Sequence, residues 1–269
     1  MTKVRDIVHQ IELYAPPSLA EEWDPIGLSF GSYDQEIKKV MIALDLDPHT
    51  LEEAVAQNVD MVFTHHPLIF KPVKTLNAED EKRKLFIRVI REGLAVYSAH
   101  TNMDATDGGM NDWLAEKLGL EHIKPLTQSQ DERYPGAGLG RVGYLKEPVP
   151  FAELLKVVNE LFSPSGMRYG QAAEQQSPVK RIAILGGSGA SYYRDALRAD
   201  ADVYLTGDIG YHDAQDMLRD GLSFIDPGHY LESIFIEKMT KQMIQWKQEF
   251  GWDIEVLATK QQKDVFKYF

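Results

Sequence analysis

Apolar residues recur at Val4, Ile7, Val8 and Ile11, one stripe at helical spacing, and Pro16 and Pro17 follow. The spacing predicts a helix over 3–14 that the prolines end. The pattern then changes. "KKVMIALDLD" (38–47) is a continuous apolar run with polar flanks, which predicts a strand buried on both faces. Pro48 opens a helix that runs to Gln57. "DMVFTHH" (60–66) predicts the next strand, 80–92 a helix stopped by Gly93, "LAVYSAH" (94–100) a third strand, and 110–118 a helix closed by Gly119. Strands alternating with helices predict a mainly parallel sheet.

The middle of the chain is different. Residues 127–140 are polar and rich in Gly and Pro, and read as a connection. "RVGYLKEPV" (141–149) predicts a strand, 151–162 an amphipathic helix and 163–178 a loop. The first pattern then returns. Residues 39–66 align without a gap on 181–208, so that Val40 meets Ile182, Asp60 meets Asp202 and Thr64 meets Thr206. Residues 93–104 align in the same way on 221–232, and Asp104 meets Glu232. Such a repeat predicts two related α/β lobes with mainly parallel sheets. The first lobe is expected over 1–126 and the second over 181–269, with 127–180 as a connecting segment that adds a strand and a helix to the second. The insert at 67–92 has no counterpart in the second half and is expected to serve as a lid or a subunit contact.

Ligands of open parallel sheets bind beyond the carboxyl ends of the strands. The first half places Asp45, Asp47, His65, His66, His100 and Asp104 there, and the second half Asp208, His212, Asp226, His229 and Glu232. His9, His49 and His122 fall in helices or loops and are expected at the surface. Neighbouring side chains on a strand face opposite ways. His65 and His66 stand where the strand has ended, and Pro67 restricts the backbone of His66. At such a bend both rings can serve one site, each for a different ion. His229 and Glu232, at i and i+3, share a face of a helical turn. Imidazoles and carboxylates collected in this way point to a metal site in the cleft between the lobes, and paired ions are a recurrent hydrolytic device. His100 and His212 stay open among ligand, orienting partner and general acid–base, and are the candidate catalytic residues. Asp45 and Asp47 read as helix caps. "GGSGAS" (186–191) reads first as a tight turn and second as a phosphate site, because it lacks the Lys-Ser/Thr of a P-loop.

Composition narrows these readings. Hydrophobic residues make up 43% and charged residues 26%, as in ordinary globular proteins. There is no cysteine, which excludes disulfides, thiolate ligands and a Cys nucleophile. A net charge of −12 argues against the nucleic-acid backbone and anionic membranes as partners. The densest basic stretch, "EDEKRKLFIRVIR" (79–91), mixes in acids and reads as a solvated helix face. No apolar run spans a bilayer and no apolar signal core opens the chain, so a cytoplasmic location is expected.

"EEWDPIGLSFG" (21–31), "DMVFTHHPLIF" (60–70), "YSAHTNMDA" (97–105), "GLGRVGYL" (138–145), "ILGGSG" (184–189), "DVYLTGDIGYHDAQDM" (202–217) and "DPGHYLES" (226–233) together resemble the Nif-three-like family, whose members are often labelled GTP cyclohydrolase I type 2 homologues. The resemblance implies a dinuclear metal centre and a toroidal homohexamer. By motif it carries the ligands onto His65, His66, Asp104, His229 and Glu232. Two divalent ions per subunit are then expected, and nitrogen and oxygen donors suit Zn²⁺, Mn²⁺ or Fe²⁺. The label implies hydrolysis of a nucleotide as small-molecule substrate; phosphoester hydrolysis would suit the same ions. A non-catalytic metal-binding hexameric scaffold or regulator is the alternative.

Overall fold

In the computed structural model, which describes residues 1–173 and 177–268, the first apolar stripe is the buried face of helix α1 (Val4–Tyr14). The Asp6 carboxylate accepts the Lys3 N–H and closes its first turn. There follow β1 (Gly27–Phe30), β2 (Lys39–Ala43), α2 (Pro48–Ala56), β3 (Met61–Thr64), α3 (Glu81–Arg91), β4 (Ala95–Ser98) and α4 (Thr101–Ala105). Next come α5 (Met110–Lys117), β5 (Glu121–Pro125), β6 (Arg141–Val149), α6 (Phe151–Phe162), β7 (Arg168–Gly170), β8 (Val179–Ser188), α7 (Tyr193–Arg198), β9 (Val203–Gly207), α8 (Tyr211–Arg219) and β10 (Ser223–Asp226). A 3₁₀ turn, His229–Ser233, leads into α9 (Ile234–Phe250), and β11 (Glu255–Ala258) closes the series. No helix among the described residues is long and apolar enough to cross a membrane.

The chain divides into two compact units. The first is Met1–Met103 with Phe235–Gln262, and the second is Asp104–Ile234 with Lys263–Phe269. In the first unit the sheet runs β1-β4-β3-β2-β11, parallel except for the antiparallel edge strand β1. Met41, Leu51, Val62, Phe86, Val89 and Val96 form one of its cores, with α2 and α3 supplying the covering side chains. The basic stretch at 79–91 is α3: it buries Phe86 and Val89 and turns its charges outward, as the pattern predicts. In the second unit the order is β5-β6-β8-β9-β10-β7, parallel across β8-β9-β10 and antiparallel at both flanks.

The repeat read from the sequence is physical. Val40 pairs with Met61 in one sheet, and Ile182 with Val203 in the other. Met61 pairs with Ala95, and Val203 with Ser223. Each partner set matches the two sequence alignments residue for residue. The same device starts both sheets: Asp60 accepts the N–H groups of Lys38 and Lys39 at 2.7 and 2.9 Å, and Asp202 those of Lys180 and Arg181 at 2.8 Å each. Two departures stand out. Helix α9 and β11 lie in the first unit, where β11 adds a parallel strand beside β2, although the repeat had grouped 181–269 together. Strand β7 forms inside the stretch expected as loop, because Arg168–Gly170 find an unpaired edge on β10; residues 174–176 of that stretch lie outside the described ones.

In the second unit Arg141 holds the segment that leads away from α4. Its guanidinium is buried, grips Asp112 with two bonds of 2.6 and 2.7 Å, and donates to the carbonyls of Thr106, Gly138 and Gly140. A buried cation with every donor engaged is tolerable; one stripped of its carboxylate is not. Asp112→Ala is therefore expected to lower stability by about 3–5 kcal/mol in urea unfolding followed by circular dichroism. A loss of less than about 1 kcal/mol, the scale of an exposed pair, would contradict this account of the buried pair.

Candidate metal centre

Strand β3 ends at Thr64, and its backbone pairing runs on through the His65 and His66 N–H groups, which donate to Ala43 and Leu44. Thr64 Oγ1 then bonds the His66 carbonyl at 2.9 Å, which bends the chain. The bend resolves the face problem posed by adjacent histidines: the two rings lie 4.9 Å apart, tilted by 47°. The His100 ring, just past β4, stands 5.1 Å from that of His65 and 5.5 Å from that of His66. One ring nitrogen from each of these three lies within 4.8 Å of the others, so this group can hold a metal ion.

Each ring is held by its Nδ1. That of His65 meets the Ala99 carbonyl at 3.0 Å, that of His66 meets Asp45 at 2.9 Å, and that of His100 meets Asp24 at 3.0 Å. Carbonyls and carboxylates only accept, so Nδ1 carries the proton and the lone pair of the neutral ring stands on Nε2. This is how metal-ligating histidines are oriented. Asp24 is itself fixed, accepting the N–H and the hydroxyl of Thr101 at 2.9 and 2.5 Å. Burial pushes its carboxyl up, but the bonds from His100 and Thr101 outweigh burial and hold it below the ordinary carboxylate range. Of the two aspartates read as caps, Asp47 does cap α2, accepting Thr50 N–H at 2.7 Å. Asp45 instead orients His66, and Gln262 fixes its backbone from both sides, accepting the Asp45 N–H at 3.0 Å and donating to the Asp45 carbonyl at 2.8 Å.

In the second unit His229 and Glu232 share the 3₁₀ turn, as their spacing predicts, with Nε2 3.1 Å from the Glu232 carboxylate. The His229 Nδ1 meets Asp208 at 2.7 Å. Asp208 occupies the position that His66 holds in the first half, and it adopts the left-handed region at φ 56°, which few residues besides Gly, Asn and Asp visit. Asp104, half-buried, accepts Asn111 Nδ2 at its carbonyl, and Asn111 Oδ1 accepts the Gly186 N–H, each at 2.9 Å. The glycine-rich turn thus has a use that needs no phosphate. A Cβ on Gly187, at φ 61°, would come 2.7 Å from the Glu232 carboxylate, and one on Gly186 3.1 Å. The glycines leave room for Glu232.

His212 lies exposed in the first turn of α8, its ring edge-on to that of Tyr211, and no candidate ligand group among the described residues includes it. His9, His49 and His122 are exposed, as expected. Asp226 is buried and structural: it pairs with Arg168 and accepts the Ile209 and Gly228 N–H groups. Asp24 and Gln262 were not among the candidates. Asp24 stands 76 residues from His100, and Gln262 217 from Asp45, and no local pattern connects such pairs.

Gly187→Ala is expected to displace Glu232 and weaken divalent-cation uptake, measured by calorimetric titration of the metal-free protein, at least roughly tenfold, since losing one good ligand contact is worth 1.4 kcal/mol or more. Stability should fall by only about 1–2 kcal/mol, the cost of a side chain in the left-handed region. Uptake equal to that of the unaltered chain would contradict the steric account of this turn.

The model of the Duf34/NIF3 (NGG1p interacting factor 3) family matches residues 2–265. A Streptococcus pneumoniae protein named GTP cyclohydrolase 1 type 2 homolog is 40% identical over 265 residues, covering 98% of each chain. A solved Staphylococcus aureus hypothetical protein is 28% identical, with a TM-score of 0.92 over 99% of both chains. A Bacillus cereus protein related to NIF3, 24% identical, shares the fold at a TM-score of 0.93 over 100% of this chain and 99% of its own. With a match along nearly its whole length and relatives at this level of identity, the chain belongs to the Duf34/NIF3 family.

Proposed function

We propose that this protein is a metal-dependent hydrolase acting on a nucleotide, with His65, His66, His100, Asp104, His229 and Glu232 as ligands of two divalent ions. The observation that carries the reading is the uniform anchoring of four imidazoles by Nδ1, three by aspartates and one by a carbonyl. A core histidine satisfied for packing alone has no need of this common orientation. His100 moves in this proposal from candidate acid–base to ligand, because it shares the His65–His66 cluster and has the same kind of anchor. His212 is given no role. The names of the relatives support nucleotide chemistry in the family but say nothing of this chain's own substrate.

Bound ions would supply an activated water near neutral pH and would neutralise developing negative charge. The chain's own contribution is orientation. Asp24, Asp45 and Asp208 each accept from the Nδ1 of their ring and so orient it, and Glu232, buried at 2% exposure, offers a carboxylate that attracts cations strongly because it is poorly solvated. Four imidazoles favour Zn²⁺, Mn²⁺ or Fe²⁺ over Mg²⁺, which prefers oxygen and keeps its waters. The same reading includes assembly into a homohexamer, which sedimentation of a monomer would refute.

Asp24→Asn keeps the shape but offers His100 an amide in place of a carboxylate. It is expected to lower metal affinity by roughly 10–100-fold, the usual effect of losing such a partner. Elemental analysis of protein purified without added metal, followed by a nucleotide and phosphoester panel read by mass spectrometry, tests the larger claim. The expected result is bound transition metal and at least one hydrolysed nucleotide. Bound metal with no turnover of any member would leave the metal-binding scaffold as the function, and no metal uptake at all would remove both.

A further inference from the structure

Two large aromatic side chains of the first unit stand in solvent beside His100. Trp23 is 58% exposed and Phe70 45% exposed. Their rings lie 5.7 Å apart, and each touches the His100 ring edge-on, at 6.1 and 6.4 Å. Neither is left out for want of a place to pack, because the backbone on which each stands is tied down. The loop bearing Trp23 is pinned on one side by Asp24, which binds His100 and Thr101, and on the other by the Glu21 N–H, which donates to Thr101 Oγ1 at 2.9 Å. Just before Phe70, Leu68 is buried and Ile69 packs on the same core cluster. Two anchored neighbours thus hold Phe70 outward. Holding a Trp and a Phe in water has a cost that folding alone gives no reason to accept.

We infer that Trp23 and Phe70 form a stacking platform for a planar heteroaromatic ring of the substrate, and that they set specificity at the candidate metal centre. The inference rests on the hydrolase reading above and adds the part of the substrate the site would recognise. The two rings already touch, tilted by 59°, so no third ring fits between them. The substrate ring lies over them, face to face with the indole and edge-on to Phe70, both favourable aromatic geometries. Every nucleobase has a π-face, so the platform selects for a base without reading which one. Because both aromatics contact His100, a ring stacked there places its attached or ring atoms next to the metal ligands.

The test uses the metal-loaded protein with two probes, guanosine 5′-monophosphate and ribose 5-phosphate, read by calorimetry and tryptophan fluorescence. Of the four tryptophans, Trp113 and Trp246 are buried and Trp252 is half-buried, so the part of the quenching that disappears in Trp23→Leu is the part that reports on Trp23. The nucleotide should bind and quench, and ribose 5-phosphate should do neither. Trp23→Leu and Phe70→Leu should each weaken nucleotide binding roughly tenfold, as loss of one stacking partner does, with metal content unchanged, while Trp23→Phe should restore most of it. Equal binding of the two probes by the unaltered protein, or unaltered nucleotide affinity in Trp23→Leu, would overturn the platform. So would a change of oligomeric state in Trp23→Leu at unaltered affinity, which would make the pair a subunit contact. Failure of the platform with metal retained leaves the hydrolase reading standing; absence of metal in the unaltered protein defeats that reading itself.

Discussion

A neutral imidazole carries one proton on either of two nitrogens, and which nitrogen can ligate a cation depends on where the other is bonded. In this chain that choice is made by a set of acceptors placed behind the rings: the Ala99 carbonyl for His65, Asp45 for His66, Asp24 for His100 and Asp208 for His229. Remove the acceptors and the rings become free to flip, and a shared orientation is lost. Much of the surrounding structure serves to hold these acceptors. Thr101 and Glu21 fix the Asp24 loop, and Gln262 reaches back from the C-terminal segment to fix Asp45.

The fold delivers these parts by repetition. Two parallel three-strand cores with matching registers, each started by the same aspartate, bring corresponding strand ends to corresponding places. The halves then diverge in their chemistry. The first contributes the adjacent imidazoles His65 and His66, whereas at the place of His66 the second has Asp208, an anchor instead of a ligand. Asp104 and Glu232, equivalent in the repeat, each lie next to a point where the chain passes from one compact unit to the other.

Much of this is legible in the sequence alone. The periodicity that places α1, α2 and α3 is local, and so is the run of apolar residues that makes β2 and β3, which is why these elements sit where the pattern puts them. The repeat was legible because Asp60 and Asp202 do the same work at the same distance from the same strands. Illegible were the features made by distant contacts. Nothing near Glu255 says that β11 will join β2, and nothing near Asp24 says that it will bind His100. The role of "GGSG" was also hidden, since the need for glycine at 186 and 187 comes from a carboxylate more than forty positions away, at Glu232. His212 is a candidate by position near a strand end; its ring is exposed and edge-on to that of Tyr211, and no candidate ligand group among the described residues includes it.

X-ray absorption spectroscopy on the metal-loaded protein tests the central claim most directly, because imidazole ligands give a characteristic multiple-scattering signature at the metal. The account predicts a shell of nitrogen and oxygen neighbours at about 2.0–2.2 Å with several imidazoles per pair of ions and, in a chain without cysteine, no sulfur. A shell of oxygen alone, with no imidazole scattering, would mean that the anchored histidines do not hold the metal, and the account built on their orientation would be contradicted.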